Sequence, residues 1–271
     1  MSQIHSRRWE AAAGVARRPR GIYLFHGTGE HCGRYEHVAD ALASQGFVVG
    51  AHDHPSHGKS AGERGKLYPP GAYATQAGIQ FMRFAKETGS TPILLGHSLG
   101  GVLASELVLM HGLQVHALIL SAPAFLPFVS TMNTIKLHVM NTFAPNHCLE
   151  LPYDATRLTH DKDMVDASHA DKLNHGFKSA AKITWLIRTG KEALTHASKL
   201  DVDTLMLVPG DDPVVDPEGS KQFAANAPSD KVTLKLYPGA YHELFNEIPE
   251  LRERAIAEMI EWLDKIAPVE T

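Results

Sequence analysis

Cysteine is scarce: the 271 residues carry only Cys32 and Cys148. Two cysteines make no disulfide framework, and no Cys-x-x-Cys pair is present to begin a zinc or redox site. No run approaches the roughly 18 consecutive apolar residues of a membrane-spanning helix. The polar stretch Met1 to Glu10 has no apolar core of a secretion signal. These absences set the expectation of a cytoplasmic protein. Lys and Arg (26) are outnumbered by Asp and Glu (30), giving a formal net charge of −4, so no basic footprint marks a nucleic-acid partner. Phosphate loops of Walker or Rossmann type are missing, as are internal repeats and low-complexity segments. What remains is ordinary globular composition, 44% apolar and 21% charged. A chain of this length can bury a core that needs neither metal nor disulfide.

The most informative stretch present is Leu94-Leu95-Gly96-His97-Ser98-Leu99-Gly100-Gly101. It reads Gly-x-Ser-x-Gly between an apolar run and a helical one, the pattern of a serine raised on a strained strand-to-helix turn. Glycines two before and two after the serine remove side chains that would meet neighbouring backbone. Short apolar runs at Gly21–Phe25, Phe47–Ala51, Pro92–Leu95, Ala117–Leu120, Leu205–Val208 and Lys231–Tyr237 read as strands. Helical spacing of apolar residues appears in Tyr35–Gln45, within Gly71–Gly89, in Gly101–His111 and in a C-terminal helix carrying Leu251, Ala255, Met259 and Leu263. A short edge strand is the most that Ile4 to Trp9 could add. This alternation argues for a mostly parallel sheet with helices on both faces.

Residues 125–197 break the rhythm. They are mostly helical in pattern and contain no good strand, and Asn146 to His160 reads as loop. Val129, Met132, Ile135, Val139, Met140 and Phe143 recur at helical spacing, which fits either a helix packed on the main domain or a lid lining an acyl-chain site. The segment reads as an insertion, so residues 1–124 and 198–271 form one core and 125–197 a helical cap.

A serine hydroxyl needs a base to take its proton, and the base needs an orienting carboxylate. In this kind of fold the chain order is Ser, acid, His. Of 17 histidines only His242 lies beyond the acidic turn that follows Leu205–Val208, and it sits just past a strand end. For the acid, Asp211, Asp212 and Asp216 all follow that strand; Asp212 is favoured because Asp212-Pro213 fixes the turn, with Asp211 as the rival. Backbone N–H groups of Leu99, after the nucleophile, and of Thr28, in the loop His26-Gly27-Thr28, are the expected oxyanion donors. His52, His54 and His57 with Asp53 match no zinc spacing and read as structural hydrogen bonding. Cys32 is not needed as a nucleophile, since the elbow supplies one.

These residues together resemble the monoacylglycerol lipase and lysophospholipase family of α/β-hydrolases. The resemblance rests on His26-Gly27-Thr28-Gly29-Glu30-His31 with Gly33-Arg34-Tyr35, on Ala51-His52-Asp53-His54 through His57-Gly58-Lys59-Ser60 to Gly62-Glu63-Arg64, on Leu95 to Gly101, and on Tyr237 to His242. It is weaker in the insertion. It implies an α/β-hydrolase fold of eight strands, trimmed at the N-terminal edge, with the triad on Ser98, Asp212 and His242. The implied reaction is hydrolysis of a monoacylglycerol ester, with lysophospholipase or short-chain carboxylesterase activity as the alternative. No cofactor or metal is implied. The implied partner is a small lipid ester, with the cap as the part that would touch a membrane surface transiently.

Overall fold

A computed structural model describes residues 3–67, 71–128, 137, 139–150 and 154–269. Seven strands form one sheet: β1 (Ser6–Trp9), β2 (Ile22–Phe25), β3 (Val49–His52), β4 (Ile93–His97), β5 (Leu118–Ser121), β8 (Thr204–Pro209) and β9 (Val232–Tyr237). Their spatial order is β1-β3-β2-β4-β5-β8-β9. Only β1 runs antiparallel, pairing Ser6 with His52 and Trp9 with Val49 at the sheet's edge. The trimmed N-terminal edge expected from the resemblance is thus a single antiparallel strand among the described residues.

Central strands β2, β4 and β5 are buried along their whole length, which is why they read as continuous apolar runs without alternation. The alternation is spatial instead. Tyr23, Phe25, Leu94, Leu118, Leu120 and Met206 face one layer. Ile22, Leu24, Ile93, Leu95, Ile119 and Leu205 face the other. The second layer is built by α1 (Glu36–Ser44), through Val38 and Leu42, and by α7 (Pro249–Ile266), through Met259 and Leu263. The first holds α2 (Ala72–Thr88), α3 (Leu99–Leu109), α5 (Ala180–His196) and α6 (Pro217–Asn226). Helix α3 is apolar nearly all round and buried nearly all round, since it lies between β4 and helices α2 and α5. It begins at Leu99, two residues before the expected start.

Residues 125–197 lie entirely in the crossover between β5 and β8, which are parallel neighbours. Besides α4 (Lys162–Ala170) and α5 they contain two strands, β6 (Cys148–Glu150) and β7 (Phe177–Ser179), paired antiparallel as a separate two-stranded sheet. This corrects the expectation that the segment holds no strand. Three residues are too few for a period-two pattern to emerge from sequence. In the run of apolar residues that spaced as a helix, Val129, Met132 and Ile135 lie outside the described residues. Val139, Met140 and Phe143 are helical.

Candidate active site

Four loops meet at the carboxyl ends of β2, β4, β8 and β9, where open α/β sheets place their ligands. Ser98 closes β4 with φ 53° and ψ −115°, a left-handed conformation that costs a non-glycine residue roughly 1–3 kcal/mol. A Cβ at Gly96 would strike the Gly100 backbone, and one at Gly100 would strike the Phe25 carbonyl. That crowding is why the turn needs glycine at both positions. The strained turn is pinned from all sides. Ser98 N–H donates to the Ser121 carbonyl at 3.0 Å, and the Ser98 carbonyl accepts from Gly101, Val102 and Ala124.

Ser98 Oγ lies 2.9 Å from His242 Nε2, and His242 Nδ1 lies 2.6 Å from Asp212 Oδ2. All three side chains are buried. Asp212 is held by the turn that follows β8, where its Oδ1 accepts the N–H groups of Val214 at 2.8 Å and Val215 at 3.0 Å. The two neighbouring aspartates sit elsewhere. Asp211 is exposed, with its backbone N–H bonded to the Ala240 carbonyl, and Asp216 caps α6 through the Glu218 N–H. Leu99 and Thr28 both flank Ser98, as the first residue of α3 and in the loop after β2. Among the described residues neither N–H donates to a protein acceptor.

The electrostatics follow from these neighbours. Burial alone would hold His242 neutral. The charge and hydrogen bond of Asp212, joined by the charges of Glu243 and Glu30, outweigh it and raise the imidazole above its ordinary value. Asp212 is pushed up by burial, but His242 and the two backbone N–H groups bring it net below the usual carboxylate range. Glu30 and Glu243 are themselves tied to one cation. Arg34 reaches Glu30 at 3.0 Å and Glu243 at 2.6 and 2.7 Å, and Glu30 also accepts from Gly27 N–H and the Tyr35 hydroxyl. This network orients the loop that carries Thr28. Glu30 and Arg34 stood in the stretches that carried the resemblance, yet with no role assigned. No local pattern pairs Arg34 with Glu243, 209 residues away.

Two cavities converge on Ser98 and Thr28. One, of about 350 Å³, is walled by Ala124, Phe128, Leu137, Met140, Ile183 and Leu186. The other, of about 150 Å³, is polar and bounded by His242, Glu243, Arg157, His175 and Lys178. The remaining candidates have structural partners. His52, His54 and His26 form a buried chain, with His54 N–H donating to His26 Nε2 at 2.9 Å and His54 Nδ1 lying 3.2 Å from His52 Nε2. Asp53 accepts from the backbone N–H groups of Cys32 and Lys59. Burial and the nearby Asp53 push the Cys32 thiol far up, which removes the thiolate a nucleophile requires.

The family described as serine aminopeptidase, S33, matches residues 17–249. An uncharacterized abhydrolase domain-containing protein of Dictyostelium discoideum is 32% identical over 89% of this chain, which spans only 26% of that protein's length. A monoacylglycerol lipase of Mycolicibacterium smegmatis is 32% identical over 250 residues, 90% of this chain and 88% of the relative. Among solved structures, the monoacylglycerol lipase of Paleococcus ferrophilus superposes with a TM-score of 0.86 at 27% identity, covering 97% of this chain and 99% of that one.

Proposed function

Because the chain belongs to the serine aminopeptidase S33 family of α/β-hydrolases, we propose that it hydrolyses the ester bond of monoacylglycerols, releasing fatty acid and glycerol. The observation that carries this reading is the hydrogen-bonded series Ser98–His242–Asp212 placed where an apolar cavity meets a polar one. The apolar cavity takes the acyl chain and the polar pocket takes the alcohol. Ser98 Oγ attacks the ester carbonyl as His242 Nε2 accepts its proton. The oxyanion is received by the N–H groups of Leu99 and Thr28, each worth roughly 3 kcal/mol in the transition state. His242 then returns the proton to the leaving alcohol. Water repeats the sequence on the acyl-enzyme.

Peptide hydrolysis from a free N-terminus, the chemistry in the family's name, fits this pocket less well. An α-ammonium group needs an available carboxylate. Here Glu30 and Glu243 are already bound to Arg34, and Lys178 and Arg157 would repel a second cation. In this reading residues 125–197 act as the cap, since Phe128, Met140, Lys178 and Leu186 supply walls that the sheet cannot. The same segment exposes Phe128, Val139, Leu149 and, at 83% of its surface, Phe143. That apolar edge is the proposed membrane-contacting surface. Phe143→Ser is expected to weaken co-sedimentation with phosphatidylcholine vesicles, and undiminished sedimentation would remove the idea.

The direct test is Ser98→Ala, which should abolish both monoacylglycerol turnover and labelling by a fluorophosphonate. Retained labelling would place the nucleophile elsewhere. A lysophospholipid or a short p-nitrophenyl ester hydrolysed in preference to monoacylglycerol would move the substrate class and leave the chemistry unchanged.

A further inference from the structure

Away from Ser98, three side chains of different ligating chemistry meet at the N-terminal edge of the sheet. His5 immediately precedes β1, Cys32 opens the short helical turn Cys32–Tyr35, and Asp53 follows β3. A ring nitrogen of His5, the Cys32 Sγ and a carboxylate oxygen of Asp53 all lie within 4.8 Å of one another. Cys32 and Asp53 are buried, and half-buried His5 is the member nearest solvent.

The backbone holds the three in place. Asp53 N–H donates to the His5 carbonyl at 2.9 Å, and His5 N–H donates to Ser60 Oγ at 2.9 Å. The Ser60 hydroxyl donates in turn to the Asp53 carbonyl at 2.6 Å. Asp53 Oδ1 accepts from Cys32 N–H at 2.9 Å, and Oδ2 from Lys59 N–H at 2.8 Å. Each oxygen has accepted one backbone N–H and keeps a second lone pair. Backbone donors that orient a carboxylate in this way are the outer shell of a ligating aspartate. Gly58, at φ 52°, permits the close approach, since a Cβ there would strike Asp53 Oδ2.

Imidazole, thiolate and carboxylate together suit zinc, whereas magnesium and calcium take oxygen ligands. Ligands of a tetrahedral zinc ion lie roughly 3.3–3.6 Å apart. Side-chain rotations of little more than an ångström would therefore close this cluster on the ion. Two anionic ligands also cancel the charge of a divalent cation, so the ion would not be left as an uncompensated buried charge. The thiol that burial and Asp53 keep protonated gives up its proton when it ligates a metal. Arg7, whose charge reaches Cys32, is bound to Glu36 at 3.0 Å.

We propose that His5, Cys32 and Asp53 form a zinc site, with water in the fourth position. The ion ties β1, which among the described residues pairs with β3 alone, to the loop after β2 that carries Thr28 and Glu30. The site is separate from Ser98 and does not depend on which ester the protein cleaves.

The direct test titrates the metal-free protein with Co²⁺, which substitutes for zinc and reports a thiolate ligand by a charge-transfer absorption in the near ultraviolet. One equivalent should produce that band. Cys32→Ser should abolish it and His5→Gln should weaken it. Cys148→Ser, which removes the only other cysteine, should keep it. Zinc, measured by competition with a chromophoric chelator, should bind Cys32→Ser at least about a hundredfold more weakly than the wild type. Zinc at about a hundred times its Kd should raise the wild-type thermal midpoint by a few degrees and that of Cys32→Ser far less. Absence of the band, or a band lost with Cys148 instead of Cys32, overturns the proposal. Zinc binding that neither Cys32→Ser nor His5→Gln weakens is attachment to other histidines and overturns it too. Circular dichroism shows whether each variant is folded. Should Cys32→Ser unfold, His5→Gln decides alone, and undiminished binding there sinks the site.

Discussion

His242 and His97 lie 5.0 Å apart, ring to ring, and both are buried, yet their protons are held in opposite senses. His97 is lowered to about 3, first by burial and then by the charge of His242, which the carboxylates of Glu243 and Asp212 do not offset. His242 is raised, because Asp212 bonds to it directly and overcomes the same burial. A second histidine region, under β2 and β3, sharpens the contrast. His26, His52, His54 and His57 pack on one another, and burial lowers every one of them, His52 to about 4. Asp53 lies next in sequence, but its oxygens are committed to backbone N–H groups. His57 meets instead the Lys182 Nζ, 2.7 Å from its Nε2. Burial sets the same default for all these imidazoles. A carboxylate with a free oxygen decides which one has its proton affinity raised instead.

The largest effect should come from removing that carboxylate. Asp212→Asn keeps the shape of the turn but takes away the charge that overrides burial. The expected loss in kcat is about 10⁴-fold, by analogy with the same change in other serine triads. The sign of the pH effect is separable from the loss of rate. In the wild type, activity falls with pH as His242 takes up a proton, and its raised value places that limb above the roughly 6.5 of a free imidazole. In Asp212→Asn the burial contribution prevails, so the limb of the residual activity should move to lower pH. A limb that stays in place would show that Asp212 does not set the proton affinity of the base.

Acid stability gives a smaller effect and tests the other half of the comparison. Each histidine lowered in the folded chain contributes stability that is fully present above its unfolded value of roughly 6.5 and is lost as pH falls towards its folded value. For His52, lowered to about 4, that amounts to about 3 kcal/mol at most. The raised His242 works the other way, contributing below pH 6.5 and losing its contribution as pH rises through its folded value. Since lowered histidines outnumber the raised one, the urea midpoint should drop between pH 7 and pH 5. A constant midpoint over that interval would mean that the buried column takes up protons without cost.

The strands, the order Ser98–Asp212–His242 along the chain and the glycines of the elbow were legible in the sequence, because apolar runs, turn residues and chain order are local properties. Two features were not. Strands β6 and β7 are three residues each, below the length at which a pairing pattern shows. Pro213 favoured Asp212 as the acid, but what each of Asp211, Asp212 and Asp216 binds depended on where one turn points its side chains. All three follow the same strand, but only Asp212 turns inward to His242, while Asp211 faces solvent and Asp216 caps a helix.

The sequence alone therefore determined a mostly parallel sheet and a serine raised on a strained turn, since both are written in contiguous residues. Tertiary structure decided the rest. It brought Ser98 against His242 across 144 residues and enclosed Glu30 and Glu243 around Arg34. It also placed Lys178 and His175 beside Ser98. The physical reason is that proton affinity and charge balance depend on distance through space and on burial. Neither is carried by spacing along the chain.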